Sequence, residues 1–424
     1  MREESASPHA AKPLPGPHGA QVQVVEGGRG SDAVRRVAEA VEAAMRERAA
    51  GRQPRPLFLV SPGTDQAEAA REAAGIPGDT SIPGSAGIPD SAGIPDATGL
   101  LMRTSGSTTG TGKIVALSWE ALDASAQATA SALGGEGTWL SALPLHHIAG
   151  FQTVARTLVS GRRPVWVDLE EAAAPQLQTQ LTQLRSDSPA DPIYLSVVPT
   201  QLARILDSAA LTQALAGVVL LIGGAHTDPA LLERAEKSFT CHTSYGMTET
   251  CGGCVYDGRP IGDTQIRLAE NGQITLTGSV VGLGYLGGER FAGTHTTMDA
   301  GRMVDGKLEV LGRLDDAITT GGLTIMPKIV EDVIAKMGWR NVVVGVEHPK
   351  WGEAAVAVVD DTGQTAESCS ATFIRSFVKL KLGAGWAPTF VIGLSHLGGE
   401  WPLTSSGKIS RRKLADMAQE YVDV

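Results

Sequence analysis

Between Gly99 and Lys237, short apolar runs alternate with stretches of helical spacing, and this alternation leaves few folds open to the chain. Gly99-Leu-Leu-Met102, Ile114-Val-Ala-Leu117, Thr138-Trp-Leu-Ser-Ala-Leu-Pro144, Pro164-Val-Trp-Val-Asp168, Pro192-Ile-Tyr-Leu-Ser-Val-Val198 and Gly217-Val-Val-Leu-Leu-Ile-Gly-Gly224 read as strands. Helical patterns begin at Ser118 and cover Gly150–Ser160, Thr200–Asp207 and Pro229–Lys237. Short apolar strands separated by amphipathic helices predict a parallel sheet covered on both faces. Upstream, Val34, Val37, Val41 and Met45 mark a helix over 31–52, and Pro56-Leu-Phe-Leu-Val-Ser61 a buried strand. From Asp263 to Leu311 the turns Asn271-Gly272 and Asp305-Gly306 predict an antiparallel β segment.

These runs give an α/β class with a large domain of parallel and mixed sheets over 31–314 and a smaller α+β unit over 315–424. Residues 1–30, rich in Pro, Gly, Ala and charge, read as a disordered arm. Residues 75–97 repeat Ile-Pro every six positions, at Ile76, Ile82, Ile88 and Ile94. So much proline with so few apolar positions cannot bury a β-helix core, so this stretch reads as a low-complexity insert.

The strands Gly99–Met102 and Ile114–Leu117 enclose a run that neither helix nor strand favours. Thr104, Ser105, Ser107, Thr108 and Thr109, with Thr111 following, are interleaved with Gly106, Gly110 and Gly112 and end at Lys113. Glycines let backbone N–H groups turn toward an anion, hydroxyls donate to phosphate oxygens, and the lysine adds charge. Five residues separate Gly106 from Gly112, and Lys113 is followed by Ile114 rather than Ser or Thr, so the loop is not of the Walker type. A net charge of -10 disfavours nucleic acid as a partner. No apolar run approaches the roughly 18 residues of a membrane span, and the first residues lack a signal-peptide pattern, so the expected location is the cytoplasm.

Two further patterns have competing readings. Cys251-Gly-Gly-Cys254, with Cys241-His242 upstream, has redox or zinc spacing, but one such pair alone leaves reduced structural thiols as the expectation. Gly282-Leu-Gly-Tyr-Leu-Gly287 matches the dinucleotide fingerprint, yet no apolar helix follows it, so it reads as a chance match.

Three more runs concentrate chemical groups. They are Thr243-Ser-Tyr-Gly-Met-Thr-Glu-Thr250, then Thr297-Met-Asp299 with Gly312-Arg-Leu-Asp-Asp316 and Thr319-Thr-Gly-Gly322, and finally Pro402-Leu-Thr-Ser-Ser-Gly-Lys408-Ile-Ser-Arg-Arg-Lys413. With the hydroxyl-rich loop, and in this order over about residues 97 to 415, they resemble the acyl-adenylate-forming superfamily of acyl-CoA ligases, luciferases and nonribosomal peptide adenylation domains. Leu143-Pro-Leu-His-His-Ile-Ala-Gly-Phe151 and Val198-Pro-Thr-Gln-Leu202 are most similar to its o-succinylbenzoate-CoA ligase group.

The resemblance implies ATP, Mg2+ and coenzyme A, a small carboxylic acid as substrate, and a place in menaquinone synthesis; a homo-oligomer is also consistent with it. Thr104, Ser105, Gly106, Ser107, Thr108, Thr109, Gly110 and Lys113 would hold the β- and γ-phosphates, Thr248 the α-phosphate and Glu249 the Mg2+. Tyr245, followed by Gly246, would stack on adenine opposite Gly223, Gly224 and Ala225, with Asp299 and Arg313 reaching the ribose or phosphate. Lys408 would bridge the acyl carboxylate and α-phosphate. Rotation of a mobile small domain about Asp315 would then bring Gly321 and Gly322 to the pantetheine tunnel.

For the acyl pocket the candidates are one of His146 and His147, the latter favoured, together with Thr200 and Arg204. Two departures stand out: the loop carries an extra hydroxyl residue with Gly112 in the place of the family's proline, and Met298 stands where the family has glycine. Another aryl- or medium-chain acyl-CoA ligase, or a non-catalytic nucleotide-binding homologue, would share most of these motifs.

Overall fold

The computed structural model describes residues 22–73, 94–104, 112–362, 370–403 and 409–422. The chain enters through β1 (Gln23–Glu26), α1 (Ser31–Ala49), β2 (Leu57–Val60) and α2 (Gln66–Ala73), then forms the pair β3 (Thr98–Arg103) and β4 (Ile114–Ser118). β1, β2 and β3 run parallel, while β4 turns back antiparallel on β3. All of β2 is buried because helices cover it, and α1 lays Val34, Val37, Ala40, Val41 and Ala44 on this sheet.

The expected arm over 1–30 is therefore too long. Residues 23–26 are an edge strand paired with Leu57–Val60, and a four-residue strand between glycine- and proline-rich flanks gives too short a periodic signal to read. In the Ile-Pro stretch, 74–93 lie outside the described residues, and Ile94 packs against the core beside Phe58 and Leu101.

The second layer follows in order: α3 (Trp119–Leu133), β5 (Thr138–Ser141), α4 (Ile148–Val159), β6 (Val165–Trp166), α5 (Ala174–Asp187), β7 (Ile193–Val197), α6 (Pro199–Asp207), α7 (Ala209–Ala214), β8 (Val219–Ile222), α8 (Pro229–Glu236), β9 (Thr240–Met247), β10 (Gly252–Tyr256) and β11 (Arg259–Pro260). Its seven strands lie in the order β11-β10-β9-β8-β7-β5-β6. From β9 to β6 the neighbours are parallel, as the β–α alternation predicts, and β10 and β11 add an antiparallel edge. Local sequence sets the helix starts: Ser118 Oγ accepts the Ala121 N–H at α3, and Asp228 caps α8 ahead of Pro229.

The β segment comprises β12 (Gln265–Leu268), β13 (Gln273–Thr277), β14 (Gly284–Tyr285), β15 (Thr294–Val304) and β16 (Lys307–Arg313). β12, β13, β15 and β16 form a four-stranded antiparallel sheet, whereas β14 leaves it to pair with β4 of the first sheet. The last sheet is built only from residues after Asp316: β17 (Ile318–Thr320), β18 (Leu323–Ile325), β19 (Asn341–His348), β20 (Gly352–Val359) and β21 (Phe390–Gly393), with α9 (Pro327–Ala335), α10 (Ala371–Leu382) and α11 (Arg411–Val422) against it. Among the described residues, no helix is long and apolar enough to cross a membrane.

Candidate active site

The hydroxyl-rich loop is the β3–β4 connection. Of its residues, Ser105, Gly106, Ser107, Thr108, Thr109 and Gly110 lie outside the described residues, whereas its two ends are fixed. Thr104 N donates to the Lys113 carbonyl at 2.8 Å, and Lys113 N donates to Thr104 Oγ1 at 3.0 Å. A Cβ on Gly112 would stand 1.8 Å from the Thr104 carbonyl oxygen, so closing the neck requires glycine where the family carries proline.

From this neck the Lys113 ammonium lies 4.4 Å from the centre of the Tyr285 ring, and Tyr285 Oη donates to Glu249 Oε1 at 2.8 Å. One tyrosine therefore links the neck of the loop to Glu249. Thr248 and Glu249 form a single 3-10 turn that ends β9, and Glu249 is 8% exposed. The turn closes through Cys251, which adopts a left-handed φ of 53° and whose carbonyl accepts Gln152 Nε2 at 2.7 Å and Ser125 Oγ at 3.2 Å. Burial, then the Glu249 carboxylate, raises the Tyr285 phenol above its ordinary range, so it donates at neutral pH.

Magnesium binds through one or two carboxylates together with phosphate oxygens and water. A single buried carboxylate beside a phosphate loop suits that pattern. Among the described residues no group of three or more His, Cys, Asp and Glu could hold a metal unaided. The CxxC cysteines are buried free thiols, Cys254 pushed up to about 11 chiefly by burial, and His242 Nδ1 lies 2.7 Å from Asp257 Oδ2.

Four residues before Glu249, Tyr245 Oη donates to Asp299 Oδ2 at 2.7 Å. Burial, then Asp299, raises this phenol too. Gly223 and Gly224 follow β8 beside this point. A Cβ on Gly223 would come 3.2 Å from the Ser244 carbonyl oxygen, Gly224 has φ 78°, and Ala225 is exposed. A flat ring needs such a bare backbone wall. Gly246 is a packing requirement: its Cβ would fall 2.1 Å from the Gly252 carbonyl oxygen across the β9–β10 pair. Asp299 faces Arg313 across β15 and β16, and Arg313 forks onto Asp315 with bonds of 2.7 and 2.6 Å. The guanidinium expected at the ribose is here held by the expected hinge residue.

The acyl-pocket candidates divide. His146 Nδ1 accepts the Gly28 N–H at 3.2 Å and its backbone packs on Gly27, so this ring braces the entering chain; burial, then Arg29, lowers its pKa. His147 caps the start of α4, with its ring centroid 4.4 Å from that of His146. Thr200 is exposed at the start of α6. Arg204, the candidate cation for the acid, has a side chain that is 52% exposed and a guanidinium paired with Glu170. On α6 the apolar face packs inward through Leu202 and Ile205, which leaves position 204 outside.

Arg156 escapes the sequence reading. It is 6% exposed in α4, two turns beyond His147, with its guanidinium 5.0 Å from the Trp139 ring centre, one long bond of 3.4 Å to Ser125 Oγ, and Nε without a partner. No carboxylate pairs with it among the described residues. The signal was available, because Arg156 is the single charge between Ile148 and Val159 in a helix buried nearly all round.

In the last unit Gly321 and Gly322, with φ 55° and 83°, form the exposed β17–β18 turn. Lys408 lies outside the described residues, but the segment holding it is pinned at both ends. Leu403 bridges Ile409, Ser410 N donates to the Pro402 carbonyl at 2.7 Å, and Arg411 forks onto Glu331 at 2.7 and 2.9 Å.

Residues 19–282 match the family described as AMP-binding enzyme. A probable 2-succinylbenzoate-CoA ligase of Mycobacterium tuberculosis is 34% identical over 331 residues, 74% of this chain and 83% of that protein. Among solved structures, O-succinylbenzoate coenzyme A synthetase from Bacillus subtilis, in complex with ATP and magnesium ion, superposes with a TM-score of 0.67 at 23% identity over 93% of this chain and 88% of that one. The amide bond synthetase McbA from Marinactinospora thermotolerans gives 0.70 at 20% identity over 95% and 90%. Since the family match spans more than half of the sequence and the mycobacterial relative is covered over most of its length, the chain belongs to the AMP-binding enzyme family.

Proposed function

We propose that this protein couples ATP to a carboxylic acid, releasing pyrophosphate and forming an acyl-adenylate, and then passes the acyl group to coenzyme A, the acid being o-succinylbenzoate. The observation that carries this reading is the line Lys113–Tyr285–Glu249, which sets the neck of the hydroxyl loop against a buried carboxylate four residues from the Tyr245–Asp299 pair. The 34% identical relative, itself named for 2-succinylbenzoate, supports the choice of acid.

In the first step a carboxylate oxygen attacks the α-phosphorus and the bond to the β-phosphate bridging oxygen breaks. Charge on all three phosphates must be met. The loop and Lys113 meet the β- and γ-phosphates, and Thr248 the α-phosphate. When bound at Glu249, magnesium would supply divalent charge to the phosphate oxygens. Tyr245 packs on adenine against Gly223–Ala225, Asp299 accepts the ribose hydroxyls, and Lys408 holds the acyl carboxylate on the α-phosphate. In the second step the coenzyme A thiolate attacks the acyl carbonyl and AMP leaves. Rotation of residues 315–424 about Asp315 withdraws Lys408 and presents Gly321 and Gly322.

An acid with two carboxylates needs a cation or hydroxyl partner for the one that does not react. Arg204 takes that role, its ion pair with Glu170 giving way to the second carboxylate, whereas Arg156 lies against Trp139 and lines a crevice with Glu136 and Ser160 toward the far end of α4 from His147. A panel of o-succinylbenzoate, benzoate and fatty acids should show AMP and pyrophosphate formation strongest with o-succinylbenzoate. ADP as product would overturn the mechanism, and preference for a monocarboxylate would overturn the substrate. Arg204→Lys keeps the charge and loses the fork, and a charge-assisted hydrogen bond contributes about 1.5–3 kcal/mol, so KM for o-succinylbenzoate should rise at least about tenfold. KM for benzoate should stay within about threefold; equal losses on both acids would remove Arg204 from the pocket.

A further inference from the structure

The run Gly282-Leu-Gly-Tyr-Leu-Gly287 has the spacing of a dinucleotide loop without its helix, and in the fold it does something else. It carries β14, docked on β4, the strand that leaves the hydroxyl loop. Gly284 pairs with Ala116 and Tyr285 with Val115, while Leu283 N and Leu286 N donate to the Ala116 and Ile114 carbonyls at 2.8 Å each. Gly282 N donates to the Glu249 carbonyl at 2.8 Å. A Cβ on Gly282 would lie 2.7 Å from Leu117 Cδ2 and 3.3 Å from that same Glu249 carbonyl oxygen, so the first glycine permits the approach. The run therefore touches Glu249 twice, through its backbone at Gly282 and through its carboxylate at Tyr285.

Tyr285 also faces the other charged partner. Its ring carries the Lys113 ammonium at 4.4 Å and is braced edge-on by Phe291 at 5.0 Å. Tyr285 thus stands between an exposed lysine and a buried carboxylate, in contact with both. Each charge meets a neutral face of one phenol: the carboxylate its hydroxyl, the ammonium its π-cloud.

We infer that Tyr285 is a positioning residue for metal–nucleotide binding, holding Glu249 by its hydroxyl and Lys113 on its ring, so that the metal-binding and phosphate-binding groups stay oriented and apart. This rests on the reading of Glu249 as the magnesium ligand and Lys113 as a phosphate cation. Tyr285→Phe keeps the ring and removes the hydroxyl, whereas Tyr285→Leu removes both contacts, and the two variants therefore separate the roles.

The probe is Mn2+, followed by electron paramagnetic resonance on the full-length protein with a non-hydrolysable ATP analogue. Metal-free binding of the analogue is measured by calorimetry and folding by thermal denaturation. Tyr285→Phe should weaken Mn2+ in the ternary complex about tenfold, the worth of one hydrogen bond to a charged group, and change metal-free nucleotide binding less than about twofold. Tyr285→Leu should weaken Mn2+ similarly and also lose about two- to fivefold in metal-free nucleotide binding, as expected for one cation–π contact. Wild-type Mn2+ affinity in Tyr285→Phe, or parallel losses of metal, nucleotide and melting temperature in both variants, would overturn the inference. Glu249→Gln separates this failure from that of the underlying reading. If it abolishes Mn2+ binding while Tyr285→Phe leaves it intact, only the role of Tyr285 falls; if Glu249→Gln also binds Mn2+ normally, both fall.

Discussion

Lys408→Ala should slow acyl-adenylate formation by about 100- to 1,000-fold, the scale of losing one preorganised charge at a developing transition state. Thioester formation from a supplied acyl-adenylate should change by less than about threefold, because the proposed rotation withdraws the lysine before that step. The residues around position 408 support such a reach. Residues 404–408 connect Leu403 to its bridge partner Ile409, and the helix that follows is anchored at once by Arg411 on Glu331 and on the Val343 carbonyl at 2.7 Å. Pyrophosphate–ATP exchange reports the first half-reaction, and single-turnover thioesterification of synthetic adenylate the second. Equal loss in both would show that Lys408 acts through folding or through coenzyme A instead.

Gly246→Ala should damage stability and site geometry together. The added methyl would sit 2.1 Å from the Gly252 carbonyl oxygen and 2.6 Å from the Gly253 Cα, both main-chain atoms that cannot step aside as a side chain can. β9 and β10 would have to part between Tyr245 and Glu249, the two residues proposed to bracket the nucleotide. Overpacking of this kind costs about 1–3 kcal/mol, and forced separation of a strand pair lies at the upper end. The denaturation midpoint should fall accordingly, with KM for ATP rising at least about tenfold as the Tyr245–Asp299 and Glu249–Tyr285 pairs separate. A variant with an unchanged midpoint and KM would mean that these strands give way far more readily than their register implies.

Much of this architecture was legible before any coordinates. The β–α alternation from Gly99 to Lys237 anticipated the parallel strands, since a strand buried on both faces must be apolar throughout. Among the described residues, Lys113 and Glu249 meet at Tyr285, and Tyr245, Asp299 and Arg313 meet through one hydrogen bond and the β15–β16 register. What stayed hidden was long-range or very short. β14 has two residues, and nothing local tells that Tyr285 crosses to another sheet and meets Glu249, 36 positions away. The burial of Arg156 was equally hidden, since it depends on Trp139 and Ser125 closing over one charge in an otherwise apolar helix.

The fork between Arg313 and Asp315 has one further implication. Under the proposed roles of Asp315 as pivot and Arg313 as nucleotide contact, a guanidinium held by Asp315 cannot also extend toward a ribose or phosphate, so nucleotide occupancy and domain rotation would draw on the same group. Linkage then requires reciprocity: whatever bound molecule claims Arg313 loosens the pivot, and holding the pivot in its present orientation weakens that molecule's grip by the same factor.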